Sequence, residues 1–156
     1  NININIYYMT VDFGYCLWLT SKNSIDLVTN NFKPHITILK NLTLEDCECV
    51  KQLISQHKKY SFHVKLSEQP VCFKDEPDGF NGIYYTVSIL DFDGEINIPD
   101  WWPDNAHVSL CYKYNEDISD KELQDVKDSI TNTVFYFDTL EIYKCIGHHN
   151  DWKKIS

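Results

Sequence analysis

The sequence predicts an α+β fold of two related lobes, each a mainly antiparallel sheet with helices on its outer face, facing one another across a central cleft. Three observations predict it. First, Lys33-Pro34-His35-Ile36-Thr37-Ile38-Leu39 is echoed 72 positions on by Asn105-Ala106-His107-Val108-Ser109-Leu110-Cys111-Tyr112. Each copy is a histidine, a β-branched apolar residue, a hydroxyl residue and more apolar residues, which suits a strand. Second, a helical pattern and then further β-type sequence follow each copy. Third, the remaining apolar runs are short, several with period-2 alternation, and turn residues bound them. The 156 residues fit one domain, so both lobes belong to a single unit spanning 1–156.

Taken in order, residues 1–11 alternate Asn with Ile before turning aromatic, which reads as an edge strand with one wet face or a disordered lead-in. Asp12-Phe13-Gly14 can turn, and Tyr15-Cys16-Leu17-Trp18-Leu19 is a buried strand. Ser24 is placed to cap a short helix through about Asn30, with Leu27 and Val28 inward. Pro34 ends any helix before the first motif strand, residues 35–40. Thr43 with Glu45 and Asp46 opens a second helix to about His57, its apolar positions being Leu44, Cys47, Val50, Leu53 and Ile54. His57 then stands near a helix C-terminus, where a cation suits the dipole.

A strand over 60–67 turns Phe62, Val64 and Leu66 one way and His63 and Lys65 the other. Val71-Cys72-Phe73 is a further strand candidate, residues 75–82 a hairpin loop, and residues 83–90 a strong strand. Residues 91–104 are the longest irregular stretch and carry Trp101, Trp102 and Pro103. The second motif strand follows at 106–112. Ser119-Asp120-Lys121-Glu122 is a capping box, with Leu123, Val126 and Ile130 as the stripe of its helix. Thr133 to Ile146 is one long strand or two joined ones. The tail from Gly147, with His148 and His149, reads as polar and solvated, ending on Trp152.

Composition removes several function classes. The net charge of −9 argues against a protein that grips long nucleic acid by neutralising phosphates, though not against a small anion in a local pocket. No apolar run approaches about 18 residues, so no membrane span is expected, and no signal-peptide pattern opens the sequence. Of the six cysteines, Cys47 and Cys49 form a C-x-C without common zinc spacing. Free buried thiols in a reducing, cytoplasmic compartment are therefore expected, in a monomer.

The chemistry lies in the echo. Alternation along a strand puts His35 and Thr37 on one face, and His107 and Ser109 on one face. Two such strands lining one cleft make a site suited to phosphate. Phosphodiester hydrolysis needs a base to activate water and an acid to protonate the leaving ribose oxygen, and two histidines can supply both. Thr37 and Ser109 can donate to the non-bridging oxygens as charge shifts. No carboxylate cluster or H-x-H pair accompanies the motifs, so neither a metal nor another cofactor is expected.

The two H-x-[T/S] motifs half a domain apart resemble the two-histidine phosphoesterase superfamily, and within it most of all the cyclic phosphodiesterases. In those enzymes an N-terminal aromatic-x-x-Trp pattern is matched here by Tyr15-Cys16-Leu17-Trp18. The first motif, P-H-[VI]-T, is matched by Pro34 to Thr37, and the second, H-[IV]-S-L-x-Y, by His107 to Tyr112. The resemblance implies a bilobal pseudo-symmetric α+β fold and metal-independent chemistry on phosphodiesters at ribose 2′ positions. Typical substrates are 2′,3′-cyclic nucleotides and ADP-ribose 1″,2″-cyclic phosphate. It makes His107 the base and His35 the acid.

Around the motifs, Tyr112 is a candidate phosphate donor and Trp18 a candidate substrate contact. Trp101 and Trp102 are candidates to stack on a base, the alternative for each aromatic being core or rim packing. Three functions remain open. One is hydrolysis of 2′,3′-cyclic nucleotides to 2′-phosphates. Another is cleavage of 2′-5′ oligoadenylate or cyclic oligonucleotide defence signals. The third is a non-enzymatic nucleotide-binding module. The expected partner is a small nucleotide carrying a cyclic phosphate or a 2′-linked phosphodiester.

Overall fold

The computed structural model describes residues 12–57, 60–75, 79–90 and 98–156, with the side chains of His57 and Asp75 outside that set. The readings of residues 1–11 as an edge strand and of His57 as a dipole partner fall outside it, as do parts of the 75–82 and 91–104 stretches. The chain is α+β. Its elements are β1 (Asp12–Thr20), β2 (Ile36–Leu42), helix α1 (Leu44–His57), β3 (Phe62–Leu66), β4 (Val71–Asp75) and β5 (Phe80–Leu90). There follow β6 (His107–Tyr114), helix α2 (Asp120–Ser129), β7 (Val134–Phe137), β8 (Thr139–Ile146), a 3-10 turn (His149–Asp151) and β9 (Lys153–Lys154).

Among the described residues all strand pairs are antiparallel. The strands run in the order β7-β3-β5-β6-β2-β1-β8-β9, with β4 added on β5. One lobe is β2-β1-β8-β9 and the other β7-β3-β5-β6. They are not two separate sheets: β2 and β6 join them into one nine-stranded sheet. That join is narrow, a single register pair, Ile36 with Val108. These are the residues immediately after the two motif histidines, so the lobes meet where the motifs begin. The chain crosses back at Asp138, the one residue between β7 in the second lobe and β8 in the first. Asp138 holds that corner: its backbone N–H donates to the Thr20 carbonyl at 2.9 Å, and its carboxylate accepts from the Lys22 N–H at 2.8 Å.

Alternation along the strands divides two layers. Leu17, Leu19, Ile36, Val108, Leu140 and Ile142 enter the main core, together with Cys47 and Ile54 of α1 and, at its margin, Val126 beside Ile130, the α2 C-cap. The helices therefore cover the face away from the cleft. On the other face, Cys16, Trp18 and Cys145 cluster with Phe13, Tyr143 and Trp152. α1 starts as its sequence demands: the Thr43 hydroxyl accepts from the Asp46 N–H at 3.1 Å. Its Leu53, expected inward, is 59% exposed, because the burying stripe is narrower than the apolar spacing. Ser119 caps α2, accepting from the Glu122 N–H at 3.1 Å, and its hydroxyl donates to the Glu122 carboxylate at 3.0 Å.

Two local expectations are corrected. Asp12-Phe13-Gly14 does not turn the chain but extends β1 through an irregularity, with Gly14 at φ +64°. The Asp12 carboxylate accepts from the Gly14 N–H at 2.8 Å. A Cβ there would lie 3.2 Å from the Leu42 carbonyl oxygen of the neighbouring strand, so glycine suits both the backbone and the space. No helix forms at 24–30. Asn30 instead binds β6 as a strand would: its side-chain amide donates to the Tyr112 carbonyl at 2.7 Å and accepts from the Tyr112 N–H at 2.9 Å. Its own N–H donates to the Leu110 carbonyl at 3.2 Å. These three bonds to the second motif strand outweigh a short helix capped only by Ser24, and they leave Leu27 buried but Val28 64% exposed.

Candidate active site

The two motif strands build one cleft of about 700 Å³, lined by His35, Thr37, His107, Ser109, Tyr112 and Trp18 among others. The antiparallel register that pairs Ile36 with Val108, extended one residue either way, sets His35 across from Ser109 and Thr37 across from His107. Each imidazole thus faces the other strand's hydroxyl.

The halves repeat each other in detail. On one side Trp18 of β1 is the register partner of Thr37; on the other Tyr84 of β5 is the register partner of Ser109. His35 stacks flat on Trp18, centroids 3.4 Å apart at 7°, and His107 leans on Tyr84 at 4.8 Å. Each motif strand carries an extra residue directly after its hydroxyl. Leu17 pairs with Leu39 and Trp18 with Thr37, leaving Ile38 unpaired on β2; Ile83 pairs with Cys111 and Tyr84 with Ser109, leaving Leu110 unpaired on β6. The second bulge matters for Tyr112. Strict alternation from His107 and Ser109 would send Tyr112 to the core face; the bulge at Leu110 returns it to the cleft.

Both histidines are fixed in the same way. His35 Nδ1 lies 2.7 Å from the Lys33 carbonyl oxygen, and His107 Nδ1 lies 2.7 Å from the Asn105 carbonyl oxygen. A carbonyl only accepts, so each Nδ1 carries hydrogen and donates. Nε2 is then the ring nitrogen left for chemistry, an acceptor when the ring is neutral and a donor when it is charged.

The environments of the two differ. His35 is 4% exposed, whereas His107 is partly open. Burial pushes the His35 imidazole down to about 3; the donor bond to Lys33 opposes that shift, the nearby His107 adds to it, and Glu141 opposes it at longer range. His35 is therefore neutral in the unliganded protein. Behind it, Tyr143 stacks on the other side of Trp18 at 3.8 Å, and Glu141 of β8 receives Lys33 Nζ at 2.7 Å. Burial works against the Glu141 charge, but Lys33, and then Lys154, hold its carboxyl below the usual range. Glu141 thereby anchors the residue whose carbonyl orients His35.

Tyr112 shares a hydrogen bond with Ser109; burial raises its phenol above the ordinary range, more than that bond lowers it, so it is a neutral donor. Phe32, delivered by the segment that Asn30 anchors, packs on both Tyr112 (4.6 Å) and His35 (6.0 Å). Trp18 lines the cleft as its buried floor, clamped between His35 and Tyr143.

Trp101 and Trp102 do not come to the cleft. They pack on Phe62 at 5.8 and 5.9 Å, at the edge of the main core. Of the two readings, stacking on a base or core and rim packing, the contacts with Phe62 are packing, although Pro103 next to Trp102 lines the cleft. The solvated tail is also corrected. His149 is buried, its N–H donating to the Tyr114 hydroxyl at 2.8 Å, and its ring touches Tyr112 and Phe32. Burial, with His148 adding, lowers its imidazole below the ordinary value. Trp152 turns into the cleft beside Trp18 and Phe13. Sequence reasoning missed Tyr84, Phe32, Glu141 and Trp152. Only Tyr84 carries a signal, as an aromatic in a strong strand, and its value emerges from register.

Among the described residues no group of three or more His, Cys, Asp or Glu side chains is arranged to hold a metal ion. Nor is any helix among them long and apolar enough to cross a membrane. All six cysteines are free thiols.

No family model matches the sequence, and no curated protein matches it. Among solved structures, one titled "Structure of Kluyveromyces marxianus Usb1" is similar over 92% of this chain and 97% of that chain, at 11% identity and a TM-score of 0.47.

Proposed function

We propose that this chain is a metal-independent phosphodiesterase that opens 2′,3′-cyclic nucleotides, or related ribose cyclic phosphates, to 2′-phosphates by paired histidine acid–base catalysis. One observation carries the reading: each motif histidine donates through Nδ1 to the carbonyl two residues before it, which leaves both Nε2 atoms to one cleft beside Thr37 and Ser109. Two identically braced imidazoles are what an in-line displacement at phosphorus requires, one to take the proton of water and one to give a proton to the departing oxygen. Thr37, Ser109 and Tyr112 supply neutral donors for the phosphate oxygens. Two Nε2 atoms left to one cleft favour an enzyme over a non-enzymatic binding module.

The burial of His35 supports roles in the order opposite to that implied by the family resemblance. His35, neutral on its Trp18 platform, is the ready base, and His107, closer to solvent, is the acid. The test is hydrolysis of a 2′,3′-cyclic nucleotide by the wild type, His35→Ala and His107→Ala. Each variant should lose roughly 10² or more in rate. A folded His35→Ala protein with near-normal turnover would refute the paired mechanism.

A further inference from the structure

The cleft is longer than one phosphate, and an aromatic track leads away from each histidine. On the first lobe it runs from His35 to Trp18, Trp152 and Phe13, with the last two rings 6.0 Å apart. On the second it runs from His107 to Tyr84, Phe73 and Phe80, with Tyr84 and Phe73 5.7 Å apart. The tracks close on one another where Phe13 meets Phe80 at 5.8 Å. A cation stands at the end of each. Lys40 Nζ lies 5.5 Å over the Phe13 ring, and Lys74 follows Phe73 on β4; both lysines line the same cavity.

Phe73 is fixed as a platform. It pairs in register with Gly82, and a Cβ at Gly82 would lie 2.4 Å from its ring. The phenyl group occupies the space a side chain at 82 would take, held against the β5 backbone while remaining part of the cleft wall. Lys74 is engaged, by Asp117 at 2.7 Å among other contacts, in an exposed pair of little energetic weight.

Resting on the function proposed above, we infer that this end is a second nucleotide subsite. Phe73 and Phe13 hold the base next to the reacting nucleotide, Lys40 and Lys74 hold the joining phosphate, and the substrate is a short oligonucleotide rather than a free mononucleotide. The chemistry is that of single-strand recognition, aromatic faces for bases and ammonium groups for phosphate. The acidic remainder of the surface limits the occupant to a few nucleotides.

The test compares kcat/KM for a 2′,3′-cyclic mononucleotide with that for a dinucleotide ending in the same cyclic phosphate. The dinucleotide should be favoured by about 10-fold or more, the value of one base stack. Phe73→Ala and Lys40→Ala should each pull that ratio toward one, and Lys40→Ala should also flatten the salt dependence of the dinucleotide by about 0.7 in log–log slope. Lys40 and Lys74 are exposed, so their Ala variants keep the fold; thermal melts verify it for Phe73→Ala. Equal kcat/KM for the two substrates, or a ratio unmoved in Phe73→Ala, Lys40→Ala and Lys74→Ala alike, would overturn the subsite. If neither substrate turns over, the proposed activity fails, and binding decides the subsite alone. Quenching of tryptophan fluorescence by a deoxydinucleotide and by a deoxymononucleotide, each 3′-phosphorylated, should then still show tighter dinucleotide binding that Phe73→Ala abolishes. Equal affinities would sink it.

Discussion

His35 makes the most exacting prediction because its state is legible in stability as well as in rate. The perturbation is a fall in pH from 7 to 5. In the unfolded chain this histidine titrates at its ordinary value, near 6.5. In the folded chain, burial on Trp18 pushes it down to about 3. The folded value lies below the unfolded one, so the unfolded state takes up a proton that the folded state refuses. The neutral ring's contribution is complete above about pH 6.5 and is lost as pH falls toward 3. Between pH 7 and pH 5 the difference in proton uptake integrates to about 2 kcal/mol from this one group. For a chain of this size that corresponds to roughly 4–8 °C in melting temperature. His149, whose imidazole burial also lowers, and the carboxylates contribute in the same direction, so the measurement must be a difference. Urea unfolding of the wild type and of His35→Gln at pH 7, 6 and 5 provides it. The wild type should lose about 2 kcal/mol more than the variant over that interval. Parallel pH dependences would mean that His35 titrates normally in the fold, which would remove the argument that it is the base.

Three further outcomes follow from the same site. Activity should survive excess EDTA, since the proposed mechanism asks only for the two imidazoles and three hydroxyls; loss on chelation with recovery on adding a divalent ion would overturn the mechanism. In kcat/KM, which reports the free enzyme, the acid limb set by His35 should lie well below pH 5; an acid limb near neutrality would remove the case for His35 as base. Chromatography of the product should find phosphate on the 2′ oxygen, and a 3′-phosphate would reject the cyclic-phosphodiesterase assignment.

What the sequence reveals and conceals follows from which interactions are local. The H-x-[T/S] repeat, the Thr43 and Ser119 caps and the period-2 runs are local patterns, and each lies in the element expected of it. The helix expected at 24–30 fails because Asn30 finds its partners on Tyr112, 82 residues away. Trp101 and Trp102 look like stacking residues only while the position of Phe62 is unknown. His148-His149 looks like a solvated tail only while the Tyr114 hydroxyl is unknown. In each case a contact distant in sequence decided the outcome, and no window of residues contains it.

The bulges carry this point to the chemistry itself. Alternation correctly groups His35 with Thr37 and His107 with Ser109, yet it would bury Tyr112 on the wrong face and set Lys40 opposite Thr37. The extra residue after each hydroxyl, Ile38 on β2 and Leu110 on β6, resets the alternation at equivalent points of the two lobes. Upstream of the bulge, each strand presents an imidazole and a hydroxyl; downstream it presents Tyr112 in one lobe and Lys40 in the other, both lining the cleft. A bulge also increases local twist, so each motif strand bends just after its hydroxyl. The same device puts the donors that the proposed function asks for on the cleft face. Deleting Leu110 leaves Tyr112 two positions after Ser109, on the cleft face by plain alternation and still paired with Gly82. A folded Leu110 deletion should therefore remain more active than Tyr112→Phe; a folded deletion no more active than Tyr112→Phe would show that alternation does not set the face of Tyr112.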